Sequence, residues 1–136
     1  MSENNKKSME NVREYDKSYF GKVLDHHELL GRYFPECLEK WMEARASLFK
    51  DPPEGALTQR EKELICVAVE IAARKPNVAF HTKKALEEGA TAKEIAEICG
   101  ICILLAGMVS FVESGQNALK VAEEYAKELN SRKKPR

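Results

Sequence analysis

The feature that most constrains the fold of this chain is an apolar run of 15 residues, "ICGICILLAGMVSFV", at positions 98–112. It is shorter than the roughly 20 residues that a helix needs to span a bilayer. Its first half leaves almost no polar side, and a helix that is apolar on all sides must be covered on all sides. A chain of 136 residues has little material for that cover. We therefore expect a buried helix that is covered partly by another subunit of a homo-oligomer.

Start signals for helices recur along the chain and predict an all-α fold of about six helices. In a capping box, a Ser or Thr hydroxyl accepts a backbone N–H, and a Glu three residues later binds the backbone N–H of the cap. Three such boxes can be read, namely Thr58 with Glu61, Thr91 with Glu94, and Ser110 with Glu113. Apolar residues at helical spacing set the bounds of the helices. The predicted helices cover residues 15–31, 35–49, 59–74, 78–88, 92–106 and 111–130.

The length and the ends of the chain indicate one domain with two tails. Domains commonly have about 100–150 residues. The first residues are polar and charged, and the chain ends in the basic segment "SRKKPR". We predict a disordered tail over residues 1–13, a single domain over 14–130 and a basic tail over 131–136.

Composition narrows the compartment and the partners. The 22 basic and 22 acidic residues balance, so the chain lacks the electrostatic footprint of a nucleic-acid-binding protein. No secretory signal opens the sequence. The four cysteines are too sparse for a disulfide scaffold. We expect a cytoplasmic protein with no membrane or nucleic-acid partner.

Cys99 and Cys102 form a C-x-x-C motif, which can be a redox dithiol or half of a metal site. A metal would need further ligands, and His81 is the one nearby candidate. Reactive dithiols usually lie at a helix N-terminus, whereas this pair lies inside an apolar helix. Core packing is therefore favoured over redox chemistry, and no metal or other cofactor is expected.

Three polar residues share one face of the third predicted helix, where the spacing is three and four residues: Glu63, Cys66 and Glu70. They interrupt an otherwise apolar pattern, as a general acid or base beside a thiol would. The alternative is a solvated face on which Glu70 pairs with Arg74.

His81 lies in the first turn of the fourth predicted helix, where Asn77 is a plausible N-cap. The positive end of a helix favours a neutral imidazole that accepts or relays a proton. A lone histidine is nevertheless more often a packed or surface residue. His26 and His27 are predicted to be an exposed or interface pair.

Three segments in this order resemble the carboxymuconolactone decarboxylase family, which includes the alkylhydroperoxidase D-like proteins: "LTQREKELICVAVEIA", "HTKKALEEGATAKEIAEI" and "AGMVSFVESGQNALKVA". The resemblance covers about residues 55–125, and its most specific part is the run 81–95. It implies an all-helical, alkylhydroperoxidase D-like fold that assembles as a trimer or hexamer. It also implies that His81 and Glu63 form a proton relay.

One departure from the family pattern bears on the activity. In the peroxidase-like branch a Cys-x-x-Cys pair precedes the histidine, and those two positions fall here on Arg74 and Asn77. The resemblance therefore implies the branch that keeps the histidine without the dithiol.

Our leading hypothesis is a non-redox enzyme that acts on a small organic acid or lactone. His81 and Glu63 would be catalytic, and the substrate would be bound by Arg74, Lys75 and Asn77. The first alternative is a peroxidase that uses a non-standard cysteine, with Cys66, Cys99 and Cys102 as candidates. The second is a non-catalytic oligomeric module.

Overall fold

The computed structural model describes residues 2–132, and each regular element among them is a helix, which confirms the all-α prediction. The chain divides into two compact units at Lys50 and Asp51, whereas one domain was predicted. The helices are α1 (Glu3–Phe20), α2 (Asp25–Gly31), α3 (Pro35–Leu48), α4 (Gln59–Ala72), α5 (Ala79–Glu87), α6 (Ala92–Ala106), α7 (Met108–Ser110), a π-helical turn (Phe111–Gly115) and α8 (Gln116–Arg132).

The first unit begins with a helix where we predicted a disordered tail. The Ser2 hydroxyl accepts the Asn5 N–H and caps α1, and one stripe of α1 is buried. The stripe consists of Ser8, Met9, Val12 and Asp16. Met9 and Val12 pack with Leu38 and Met42 of α3 in the core of this unit. The polar composition hid this narrow buried stripe. At the other end of the chain, residues 131 and 132 continue α8, and residues 133–136 of the predicted basic tail lie outside the described residues.

The predicted helix over residues 15–31 is two helices. Gly21 ends α1 in the left-handed conformation, with φ +75°, which a glycine adopts without the steric cost of a Cβ. The chain then turns into α2. The next predicted helix, 35–49, is confirmed within one residue by α3. Trp41 and Leu48 lie on the exposed side of α3.

In the second unit, the capping boxes at the starts of α4 and α6 are confirmed in both directions. The two helix starts are joined by an ion pair between Arg60 and Glu94. The core lies between α4, α5, α6 and α8. Its buried members include Val67, Ile71, Val78, Leu86, Ile95, Cys99, Ala118 and Ala122.

The third predicted capping box is wrong. The helical run begins at Met108, and the Ser110 hydroxyl donates to the Gly107 carbonyl instead of capping a helix start. A π-helical turn follows. A Cβ at Gly115 would lie 3.3 Å from Cys99 Sγ and 3.4 Å from Ile71 Cγ2. Glycine therefore allows the turn to approach α4 and α6 closely.

An apolar face remains exposed on the second unit. Its most exposed members are Leu104 and Leu105, at 84% and 86%. The same unit also exposes the apolar side chains of Ile65, Val69, Ile101, Met108, Val109 and Val112. Within residues 2–132, no helix combines the length and the apolar character that crossing a membrane requires.

Candidate functional site

The centre of the site is a hydrogen bond between two helices. Glu63, in the second turn of α4, accepts a bond of 2.7 Å from Nδ1 of His81, in the first turn of α5. The Glu63 side chain is 2% exposed and that of His81 is 20% exposed. A buried carboxylate thus holds the ring while one edge of the ring remains accessible.

The bond determines the roles of the two ring nitrogens. An ionised carboxylate can only accept, so the hydrogen lies on Nδ1. In the neutral ring, Nε2 then carries the lone pair and can take up a proton. A carboxylate that fixes the tautomer of a histidine in this way is the orienting part of many acid–base sites.

Two further groups of α4 complete the cluster. Ligand atoms of Glu63, Cys66 and His81 all lie within 4.8 Å of one another. Glu70, one turn further along α4, places Oε1 4.0 Å from Nε2 of His81. The predicted shared face of α4 is therefore the face that meets His81.

Glu70 is the electrostatically unusual member. Burial raises the pKa of its carboxyl above the ordinary value. The nearby His81 and Lys75 work against that rise, and the Glu63 carboxylate adds to it. Its Oε2 is buried and has no hydrogen-bond partner among the described residues. Glu70 does not pair with Arg74, because α4 ends at Ala72 and Arg74 lies past the helix end.

The predicted substrate-binding residues lie on the segment between α4 and α5. Arg74, Lys75 and Asn77 are all exposed. Arg74 has φ +56° and lies just past the end of α4: its N–H binds the Ile71 carbonyl, and the Lys75 N–H binds the Glu70 carbonyl. The predicted cap at Asn77 is wrong, since Val78 occupies the N-cap position without a side-chain hydrogen bond.

Cys99 and Cys102 lie away from this cluster, in the core. They are 3% and 5% exposed, and their thiols point to the backbone carbonyls of Gly115 and Ala68. Burial raises the pKa of Cys99 to about 11 and also raises that of Cys102. Both thiols therefore stay protonated near neutral pH.

Sequence reasoning missed two relationships. It left Glu70 out of the predicted site, although the spacing from Glu63 and Cys66 could have included it. It also placed His27 in an exposed or interface pair, which is wrong for that residue. His27 is 5% exposed, and its Nδ1 lies 2.8 Å from Oδ1 of the buried Asp16.

Comparisons with known proteins agree with this helical arrangement. The sequence profile described as the carboxymuconolactone decarboxylase family matches residues 35–124. The chain therefore belongs to the carboxymuconolactone decarboxylase family, which confirms the resemblance read from its motifs. No curated protein sequence matches the chain.

A crystal structure from Burkholderia xenovorans LB400, which carries the provisional name of a carboxymuconolactone decarboxylase, has the same fold. Its TM-score is 0.83, and the match covers 96% of this chain and 99% of that chain at 24% identity. At that identity the likeness establishes the fold.

Proposed function

We propose that this protein is a non-redox enzyme that decarboxylates a small organic acid or lactone, with His81 as the proton-transfer group. The observation that carries the proposal is that His81, oriented by a hydrogen bond of 2.7 Å to the buried carboxylate of Glu63, keeps its ring 20% exposed beside Cys66 and Glu70. Membership of the carboxymuconolactone decarboxylase family supports the same chemistry.

In the proposed reaction, the bond between the substrate carboxylate and its neighbouring carbon breaks and CO2 leaves. The electron pair stays on the organic fragment, where a lactone carbonyl can delocalise it. His81 delivers a proton to that fragment from Nε2 and recovers one from solvent. Glu63 orients the ring and stabilises the imidazolium that forms during the cycle.

Substrate recognition would come from the segment between α4 and α5. Arg74 and Lys75 offer positive charge to a carboxylate, and a guanidinium can bind it through two parallel hydrogen bonds. Asn77 can add an amide donor. The charge of Lys75 already acts on Glu70, which supports placing it next to the cluster.

We further propose that the enzyme works in the cytoplasm as a homo-oligomer, a trimer or hexamer. Among residues 2–132 none of the four cysteines is in a disulfide, which suits a reducing compartment. The exposed apolar face around Leu104 and Leu105 supports self-association, because contiguous apolar patches mark interaction surfaces.

The catalytic proposal is tested by turnover of a panel of small carboxylated lactones. His81→Ala should lower turnover by at least about 100-fold, the usual contribution of general acid–base catalysis. His26→Ala is the matched control, since His26 is an exposed histidine of α2 in the first unit, and it should leave turnover unchanged. Full activity of His81→Ala would exclude the proposal.

The assembly is tested separately by light scattering. A double substitution, Leu104→Asp with Leu105→Asp, should convert the oligomer to monomers, because each charge would have to be buried at the interface. Leu48→Asp changes a leucine that is 72% exposed on α3 and should leave the assembly intact. A monomeric wild type, or an unchanged double variant, would contradict self-association through this face.

A second function is favoured by one observation, the position of Cys66 within 4.8 Å of Glu63 and His81. If His81 takes the proton from the Cys66 thiol, the resulting thiolate could attack an oxygen of an alkyl hydroperoxide. That step breaks the O–O bond, forms a sulfenic acid on Cys66 and releases an alcohol, and an external thiol would have to reduce the enzyme again.

Peroxide treatment of the native protein separates the two functions when oxidation is read by mass at each cysteine. Reversible oxidation confined to Cys66 would favour the peroxidase. The buried Cys99 and Cys102 serve as internal controls that should stay unmodified until the protein unfolds. An inert Cys66 would leave the non-redox enzyme.

A further inference from the structure

We propose that Glu63, Cys66 and His81 form a binding site for a divalent transition-metal ion, with Zn2+ as the preferred metal. The inference goes beyond the proposed decarboxylation and does not depend on it. The three residues come from two adjacent helices and present one nitrogen, one sulfur and one carboxylate oxygen to a common point.

The spacing suits a tetrahedral ion after a small adjustment. Zinc bonds of about 2.0–2.3 Å place neighbouring ligand atoms about 3.5 Å apart. The three donor atoms here lie within 4.8 Å of one another, and Glu63 Oε2 is 2.7 Å from His81 Nδ1. The metal would therefore separate the oxygen and nitrogen slightly and draw the sulfur in, which side-chain rotation can supply.

The chemistry of the donors selects the metal. Magnesium and calcium prefer sites built of oxygen atoms, whereas thiolate and imidazole suit zinc. Three protein ligands leave a fourth position open, as in zinc sites that bind water or a substrate oxygen. Because Cys66 and His81 are both half-buried, an ion could reach the site without unfolding.

The local charge also calls for a cation. Carboxyl groups of Glu63 and Glu70 lie on either side of His81, with Oε2 of Glu63 2.7 Å from Nδ1 and Oε1 of Glu70 4.0 Å from Nε2. A thiolate at Cys66 would add a third negative charge. A divalent ion placed among these groups would offset their negative charge.

Glu70 fits the outer part of such a site. A histidine that binds a metal through one nitrogen usually donates its other N–H to a carboxylate or carbonyl. With the metal on Nδ1, the N–H lies on Nε2 and faces Glu70 Oε1, which is 4.0 Å away. Oε2 of Glu70 is buried and lacks a hydrogen-bond partner among the described residues, so this carboxylate has acceptor capacity left for such an N–H.

The test uses Co2+ and Zn2+ on the full chain. Co2+ should give a thiolate-to-cobalt charge-transfer band in wild type, and Cys66→Ser should lose it. Cys37→Ser changes an exposed cysteine of α3 and should keep it. His81→Ala should weaken Zn2+ binding at least about 10-fold, and Glu70→Gln should weaken it about 10-fold as an outer partner.

Circular dichroism of each variant verifies that the helices are retained. A band that persists in Cys66→Ser, or the absence of any band or bound Zn2+ in wild type, would overturn the metal site. These measurements use no substrate, so the decarboxylation is judged separately by turnover of chelator-treated protein. If wild type binds no metal and turnover still depends on His81, the metal site is excluded and the proposed function stands. If Zn2+ binds and the chelator-treated protein is inactive, metal-free proton transfer by His81 is excluded.

Discussion

Each of the two units contains a buried carboxylate that binds Nδ1 of a histidine, and the two pairs differ in their surroundings. In the first unit the distance from Asp16 to His27 is 2.8 Å, and in the second the distance from Glu63 to His81 is 2.7 Å. The second oxygen of Asp16 accepts the Leu24 N–H at 3.0 Å, which fixes the turn between α1 and α2. The His27 side chain is 6% exposed.

The pair in the second unit is accessible to solvent and has further ionisable groups next to it. The His81 side chain is 20% exposed, and Cys66 and a second carboxyl group, that of Glu70, lie beside it. The two pairs share a short histidine–carboxylate bond, so the bond alone does not set the candidate site apart. What distinguishes the candidate site is the accessible edge of the ring and the additional ionisable groups next to it.

We expect the largest effect on the free energy of unfolding from breaking the buried Asp16–His27 pair of the first unit. Asp16→Asn replaces one of two accepting oxygens by an NH2 group that faces a donor, and we expect a loss of about 2–3 kcal/mol in the free energy of unfolding. Glu63→Gln keeps an acceptor for His81 and removes a buried charge next to Glu70. We expect a smaller loss of stability than in Asp16→Asn, because the His81 side chain is already 20% exposed to water, while turnover falls.

Urea denaturation followed by circular dichroism measures both variants under the same conditions. Equal stability losses at the two positions would mean that the two pairs are equivalent structural contacts. A loss of turnover in Asp16→Asn at temperatures where it stays folded would also contradict the distinction.

The helices that carry the two carboxylates are each followed by a residue with a positive φ, and the two residues differ in type. Gly21, with φ +75°, follows the helix that carries Asp16, and Arg74, with φ +56°, lies just past the end of the helix that carries Glu63. A side chain in the left-handed conformation costs about 1–2 kcal/mol. Arg74→Gly should therefore raise the free energy of unfolding by about 1 kcal/mol, and Gly21→Ala should lower it by a similar amount.

Thermal unfolding of the two variants checks these signs. If Arg74 binds the substrate carboxylate as proposed, Arg74→Gly should also raise KM, so that it gains stability and loses affinity. Destabilisation by Arg74→Gly would mean that the arginine side chain makes stabilising contacts that outweigh the backbone strain.

The smallest expected effect is the pH dependence contributed by Glu70. Its pKa is raised in the folded protein above the ordinary 4.5, chiefly by burial. The native state therefore holds this proton more tightly than the unfolded state, and stability falls as the pH rises from 4.5 through the raised pKa. Above that window Glu70→Gln should be more stable than wild type, because it removes the carboxylate whose charged form burial disfavours.

Denaturation at a series of pH values, from about 4 to about 8, compares Glu70→Gln with wild type. The two stability curves should converge at the acidic end, where Glu70 is protonated. Parallel curves would show that Glu70 has the same pKa in the folded and unfolded protein.

Local sequence signals predicted much of the fold. The boxes of Thr58 with Glu61 and Thr91 with Glu94 act over one helical turn, and the structure has both. Gly89, with φ +94°, follows the C-cap of α5 in the left-handed conformation that glycine favours. The Ser110 box failed because a serine followed three residues later by a glutamate also occurs inside a helix, and Gly107 had already ended α6.

The site was predicted less completely because it depends on contacts between helices. The histidine–glutamate pair followed from the resemblance to the family, whereas its meeting with Cys66 and Glu70 requires the packing of α5 on α4. The pairing of Asp16 with His27 is likewise a tertiary contact. Composition alone could not distinguish the stripe of α1 that carries Asp16 from a disordered tail.

The segment between α4 and α5 has a consequence for protein engineering. Two of its backbone carbonyls are anchored by side chains beyond α6: Ser114 Oγ donates to Lys75, and Asn117 Nδ2 donates to Pro76 at 3.1 Å. Both anchors hold the backbone between positions 74 and 77, where the peroxidase-like branch is expected to place its two cysteines. A dithiol introduced at positions 74 and 77 would therefore stand on a backbone that side chains from beyond α6 already anchor.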